Sequence, residues 1–243
     1  MAESPAFIDL HCHTSASFDS LAAPAAVVQA AARRGLTHLI VTDHDRIDGA
    51  LRARDAAPDG LTVIVGQEVR TTSGDLIAAF LARAVPPGLP IAAAIAAIRE
   101  QGGLVGVPHP FDRHRSSLGR DEGSGRGASS GPGPEDGLAA LAGLVDWIEV
   151  HNARLIGSGN ERAARFAHEH GLPGVAVSDA HSTLEVGVAY TALRGDPSTP
   201  DGLLAALRSP QLVLGRASYA ARLITPIAKL VHRARGEGRA SST

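Results

Sequence analysis

The chain has 243 residues, 44% hydrophobic and 20% charged, with a net charge of −2. That balance describes a globular protein with ample material for a core, in one large domain or two small ones. The charge excludes a general nucleic-acid-coating protein, and the absence of any membrane-length apolar run or basic-then-apolar leader sets the expectation of a cytoplasmic protein.

Short apolar runs alternate with Ala-rich helical stretches. In chain order the pattern predicts strand Phe7–Leu10, helix Pro24–Arg34, strand His38–Thr42, helix Ile47–Ala56, and strands Leu61–Val65 and Leu76–Leu81. Then come helix Pro90–Gln101, strand Leu104–Val107, helix Gly137–Leu144, strand Trp147–Val150, helix Gly159–His170 and strand Val175–Val177. Gly35, Gly102 and Gly171 are placed to stop helices in the left-handed conformation. Near-continuously apolar strands alternating with helices predict an α/β fold with parallel, helix-covered strands. About seven such units in one chain of this size point to a distorted TIM-like (β/α) barrel.

Two segments break the rhythm. Gly119–Gly137 is nearly all Gly, Ser, Pro and charge, and reads as a flexible insert, either a passive linker or a lid near the site. Beyond Leu212 the chain turns basic, with Arg216, Arg222, Lys229, Arg233, Arg235 and Arg239 against Glu237. Ile224–Val231 is a candidate short helix with Pro226 in its first turn. The expected organisation is a barrel over 1–215 and a basic tail over 216–243, solvated or in contact with a phosphate-bearing substrate.

Composition has one outlier. Eleven histidines accompany two Tyr, one Trp and one Met, and the lone cysteine, Cys12, excludes a disulfide framework or a Cys-rich zinc module. Six of the eleven directly follow a predicted strand: His11 and His13, His44, His109, His151 and His181. Strand C-termini of a parallel barrel open on one face, so these residues converge there. His11 and His13 are two apart and point the same way from an extended strand, as do Asp179 and His181. The six histidines together with Asp19, Glu68 and Asp179 make nine candidate ligands: His11, His13, Asp19, His44, Glu68, His109, His151, Asp179 and His181. A zinc ion takes about four ligands, so nine imply two or three divalent ions, and N/O donors suit Mn, Zn or Fe. A lone His-x-His is often only a surface pair; the joint placement carries the reading. His38, His168, His170 and His232 are read as incidental, His114 beside Arg113 and Arg115 is open between an incidental and a site role, and Cys12 is read as a small buried core residue.

The ordered segments Asp9-Leu10-His11-Cys12-His13-Thr14, Thr42-Asp43-His44-Asp45, Gly66-Gln67-Glu68, Pro108-His109-Pro110-Phe111 and Ser178-Asp179-Ala180-His181 resemble the motifs of the PHP (polymerase and histidinol phosphatase) family. The resemblance runs from about Ile8 to Leu193. It implies a stand-alone metal-dependent phosphoesterase on a distorted seven-unit (β/α) barrel with a trinuclear Mn, Zn or Fe centre. By that resemblance His11, His13, Glu68 and Asp179 hold a first ion, Glu68 bridges to a second held by His109 and His151, and Asp19, His44 and His181 hold a third.

The expected reaction is phosphomonoester hydrolysis by a metal-bridging hydroxide. Asp43 and Asp45 are candidates to orient ligands or to protonate the leaving oxygen. Arg113 and Arg154 are candidate phosphate clamps or plain loop arginines. The motif style favours a nucleotide, such as a nucleoside 3′,5′-bisphosphate, or the 5′ end of a short oligonucleotide. A scarcity of aromatic residues argues against a long single-strand groove. Histidinol phosphate, a C–N bond hydrolysed at a metal site, and a silent metal-binding module are the alternatives. No membrane and no obligate protein partner is expected.

Overall fold

The structure, a computed structural model, describes residues 5–112, 117–118, 134–218, 221 and 223–236. Arg113, His114, Arg222, Glu237, Arg239 and most of the Gly/Ser-rich insert lie outside these residues.

The fold is α/β, with nine strands in one nearly closed sheet of order β7-β6-β5-β4-β3-β2-β1-β8-β9. The strands are β1 (Pro5–Asp9), β2 (His38–Val41), β3 (Thr62–Arg70), β4 (Asp75–Ala79), β5 (Leu104–Val107), β6 (Trp147–Asn152), β7 (Gly174–Val177), β8 (Tyr190–Arg194) and β9 (Gln211–Val213). The helices are α1 (Pro24–Arg33), α2 (Asp48–Asp55), α3 (Ile91–Arg99), α4 (Pro134–Ala139), α5 (Gly159–His170), α6 (Pro200–Ala206) and α7 (Ile224–Ala234). No described helix is long and apolar enough to cross a membrane.

The sheet is mixed rather than wholly parallel. β1–β2–β3 and β5–β6–β7 are parallel runs, while β4 is antiparallel to both neighbours and β8 is antiparallel to β1 and β9. The four residues from Thr71 to Gly74 separate β3 from β4, far fewer than a parallel crossover needs. They close a hairpin in which Thr71 N donates to Gly74 O at 3.0 Å. Where the sequence leads to a helix over Gly137–Leu144, the helix is α4, which starts at Pro134 and ends at Ala139, and residues 140–144 are turns; β8, α6 and β9 are additional to the expected elements.

Two apolar groups fill the molecule. Ile8, Leu10, Ile40, Ile64, Ile77, Trp147, Val175, Val177 and Leu193 lie together on one side of the sheet. Helix faces such as Val27, Val28, Ile95 and Phe166 pack with the alternate strand positions Leu39, Val41, Val63 and Val105 on the other. That division follows the period of two along each strand.

Closure comes from chain just beyond the strands. Past β1 and β7, Asp179 N donates to His11 O and His13 N to Ala180 O, each at 2.9 Å, forming a parallel bridge between Cys12 and Ala180. The buried Asp9 carboxylate secures this seam, accepting from Ser178 N at 3.0 Å and Gly187 N at 3.2 Å. Thr191 Oγ1 on β8 joins the Ala176 backbone of β7 through two 2.9 Å bonds.

The tail is not wholly solvated. His232 of α7 is buried, with Nε2 2.9 Å from the carbonyl of Ser20. Ala228 is buried too, and Ala217 N donates to Ala153 O at 3.0 Å.

Gly106 on β5 lies flat against the Trp147 indole, and a Cβ there would overlap the ring. We expect Gly106→Ala to lower unfolding free energy by about 1–3 kcal/mol through overpacking, read as a lower urea midpoint at unchanged m.

Candidate metal centre

Strand ends and the loop after β1 bring eight of the nine candidate ligands to one place. His11 and His13 stand on the extension of β1, side by side with Asp179 and His181 on the extension of β7. His44, beyond β2, bridges in parallel to Glu68 within β3, and His109 follows β5. All are buried except His44, which is half-buried.

The ring nitrogens and carboxylate oxygens converge. His11 Nε2 and His13 Nε2 are 2.9 Å apart. Glu68 Oε2 lies 3.4, 3.3 and 3.1 Å from His11 Nε2, His13 Nε2 and His44 Nδ1, and its Oε1 is 3.1 Å from His109 Nε2. Asp179 Oδ1 is 3.6 Å from both His11 Nε2 and His13 Nε2. Asp19 Oδ2 is 3.3 Å from His44 Nε2 and from His181 Nε2. Two ligand-atom groups result, His13–Asp19–His44–His181 and His11–His13–Asp179, with Glu68 alongside both.

The outer hydrogen bonds reveal what the rings are oriented for. His11 Nδ1 donates to Glu149 Oε1 at 2.6 Å, and His181 Nδ1 to the Asp179 carbonyl at 2.8 Å. Ser17 Oγ donates to Asp43 Oδ1 at 2.7 Å and therefore accepts from His13 Nδ1 at 3.0 Å. Ser117 Oγ, which donates to the His109 carbonyl at 2.8 Å, likewise accepts from His109 Nδ1 at 3.1 Å. Four imidazoles thus spend Nδ1 on the protein and turn Nε2 inward, the arrangement of metal-ligating histidines with their outer partners. Ligand atoms around an ion at about 2.1 Å in a tetrahedron sit about 3.4 Å apart, close to the spacings here. Asp19 Oδ1 is buried with no hydrogen-bond partner among the described residues. The donor set fits divalent cations.

Electrostatics agree. Burial raises the Asp19 and Glu68 carboxyls, but imidazoles at His181 and His44, and at His44 and His11, outweigh it and hold both well below the usual range. Burial and then the neighbouring His181 push His13 well below its ordinary value, leaving a neutral ring with a lone pair to offer. Burial lowers His11, yet Asp179, Glu149 and Glu68 raise it well above. Burial raises Asp43, and Asp9 to about 6. Burial also pushes the Cys12 thiol up, consistent with a packed core residue rather than a nucleophile.

His151 is not brought to this cluster. Its Nε2 lies 2.7 Å from the Gly215 carbonyl, and a register shift between Glu149 and His151 alters which β6 residues face the ligands. Glu149 and Asn152 face them instead. Glu149 Oε2 accepts from His109 N at 2.8 Å and Asn152 Nδ2 at 2.9 Å, and Asn152 also donates to Asp179 Oδ2 at 3.0 Å. The sequence carried a signal for Glu149: a carboxylate within the apolar run Trp147-Ile148-Glu149-Val150 requires a buried partner.

The remaining candidates separate. Asp43 accepts from Thr14 N, Thr14 Oγ1 and Ser17 Oγ, each at 2.7 Å, and so reaches His13 only through Ser17. Asp45 accepts from Arg70 N at 2.9 Å. Arg154 donates to Glu185 Oε1 at 2.5 Å and Thr225 Oγ1 at 2.7 Å, with a side chain only 7% exposed, so its fork is not open to a ligand.

A PHP domain model matches residues 9–103 and a PHP-associated model residues 157–212. An uncharacterised protein of Methanocaldococcus jannaschii is 34% identical over 122 residues, 46% of this chain and 71% of its own. The chain belongs to the PHP family. The error-prone DNA polymerase of Mycobacterium tuberculosis H37Rv is 31% identical across 80% of this chain, which spans only 21% of that protein. Among solved structures, a Bacteroides vulgatus two-domain protein containing a predicted PHP-like metal-dependent phosphoesterase superposes with TM-score 0.68 and 22% identity, over 88% of this chain and 66% of that one. The lesion-specific endonuclease of Pyrococcus furiosus superposes with TM-score 0.59 and 16% identity, over 86% and 58%.

Because Glu149 fixes His11, we expect Glu149→Gln to weaken metal affinity about 10–100-fold, measured by competition with a chromogenic chelator. An unchanged affinity refutes the role assigned to Glu149.

Proposed function

We propose that this protein is a metal-dependent phosphoesterase that hydrolyses phosphomonoesters, with nucleotides or the 5′ ends of short oligonucleotides as substrates. The observation that carries the reading is the inward convergence of four Nε2 atoms on Glu68, Asp19 and Asp179 at one end of the barrel. The likeness to PHP-family proteins supports it, and so do the names of a predicted metal-dependent phosphoesterase and a lesion-specific endonuclease among proteins of like fold.

His11, His13, Glu68 and Asp179 would hold one ion, and Asp19, His44 and His181 another, with Glu68 between them and His109. His151 is withdrawn from this ligand set, and a third ion would have Glu68 and His109 as its protein donors. When bound, divalent ions supply Lewis acidity toward phosphoryl oxygens and an activated water near neutral pH. The chain's own contribution is orientation. Glu149, Ser17, Ser117 and the Asp179 carbonyl fix four rings, and Asp43 steadies His13 through Ser17. Arg154 serves as a positioning residue that ties the His181 loop to α7 by way of Glu185.

Purified protein is expected to carry Mn, Zn or Fe and to release phosphate from a nucleoside 3′,5′-bisphosphate or a 5′-phosphorylated dinucleotide. Chelation, or His11→Ala with His13→Ala, is expected to remove that activity by at least about 10³-fold. Phosphate release that survives metal removal, or turnover confined to amides, refutes the reading.

A further inference from the structure

α7 is held to the barrel by one face and leaves the opposite face uncovered. Thr225 Oγ1 accepts from Arg154 at 2.7 Å, Ala228 is buried, and His232 Nε2 lies 2.9 Å from the Ser20 carbonyl. At about 3.6 residues per turn, Leu223, Ile227, Leu230 and Ala234 fall together on the far side of the helix. Leu223, Ile227 and Leu230 are 66%, 57% and 69% exposed. A stripe of aliphatic side chains about 16 Å long therefore points away from the protein.

Further exposed aliphatics stand on the loops joined to α7. Arg154 donates to both Thr225 and Glu185, and Ala217 N donates to Ala153 O. Ile156, Leu184 and Leu214, each exposed, lie within three residues of those contacts. Segments 119–133 and 237–243 contain no large apolar residue with which this chain could cover the stripe. Charge narrows the choice of occupant. Lys229 and Arg233 border the stripe on one side and Arg235 on the other, all exposed, and residues 202–236 include six Lys or Arg and no Asp or Glu. A second copy laid on this face would set those cations against their equals. An apolar stripe edged by lysine and arginine matches an interfacial helix, which sinks its apolar side among acyl chains while its cations meet anionic headgroups.

We propose that α7 is a peripheral anchor that seats the protein on an anionic lipid bilayer, with the helix lying in the plane of the surface. This replaces the expectation of no membrane contact, and it calls on no spanning helix. It is independent of what the metal centre hydrolyses, yet the anchor is joined to that centre. Glu185, bound to Arg154, accepts from His181 N at 3.1 Å. Ser20, whose carbonyl meets His232, donates through its hydroxyl to the His181 carbonyl at 3.0 Å. Seating α7 on a bilayer therefore brings the loop that carries His181 close to the headgroup layer.

The test is sedimentation of the purified full chain with vesicles of phosphatidylcholine alone or mixed equally with phosphatidylglycerol, at low and high salt. Wild type is expected to bind the anionic vesicles far more tightly than the neutral ones and to be released by salt. Ile227→Ser with Leu230→Ser should lower the partition coefficient about 10–100-fold, and Lys229→Ala with Arg233→Ala about 10–30-fold. Leu144→Ser, just before β6 at the end of the barrel away from the ligands, should leave it unchanged. All of these replace exposed side chains, so melting temperatures are expected to match wild type. Absence of vesicle binding, equal binding to neutral and anionic vesicles, or equal effects of Leu144→Ser and the α7 variants overturns the proposal. So does a dimer in analytical ultracentrifugation that Ile227→Ser with Leu230→Ser dissolves, which would make a second copy the occupant of the stripe.

Discussion

The pairing of the chain beyond β1 with the chain beyond β7 is the constraint on which the site depends. It sets His11-Cys12-His13 beside Asp179-Ala180-His181, so that two i, i+2 ligand pairs from opposite ends of the sequence become neighbours. Asp9 holds both segments with one carboxylate, and its own position at the end of β1 is fixed by the barrel wall. Because the side-chain period of a strand is two, a one-residue slip in this seam would turn both pairs away from the cluster and bring Cys12 and Ala180 in their place.

Such a site is costly to bury. Asp9, Asp19, Asp43, Glu68, Glu149, Asp179 and Glu185 are all buried at this end of the molecule, where desolvation opposes every charged form. Backbone N–H groups and hydroxyls serve Asp9 and Asp43, and the Arg154 guanidinium serves Glu185. Asp19 Oδ2, both Glu68 oxygens and Asp179 Oδ1 face imidazoles across gaps of 3.1–3.6 Å. Those gaps are too wide for strong hydrogen bonds and suited to a cation between them. The barrel thus stores an excess of negative charge where a divalent ion would be most welcome.

The clustered candidate ligands are legible in the sequence because all but Asp19 lie at or near a strand end, where local pattern and barrel topology together determine direction. His151 escaped that logic. It also follows an apolar run, but the register shift in β6 exchanges its role with Glu149 and Asn152, and no local periodicity records such a shift. The reversal of β4 was written in the four residues between Arg70 and Asp75, too few for a crossover. The docking of α7 was illegible for a different reason. Its buried contact joins His232 to the backbone of Ser20, 212 residues away, and a backbone acceptor leaves no trace in residue identity.

Three residues at this end of the barrel adopt left-handed backbone conformations without being glycine: Asp45 at φ 59°, His109 at φ 28° and Asp179 at φ 53°. Each such residue carries a backbone penalty on the order of 1–2 kcal/mol that a glycine would largely escape. At His109 and Asp179, then, backbone comfort and the direction of a candidate ligand pull in opposite directions. A glycine at either position would relax the backbone but remove a buried, hydrogen-bonded side chain, so the left-handed turn persists only because that side chain holds the cluster together from within.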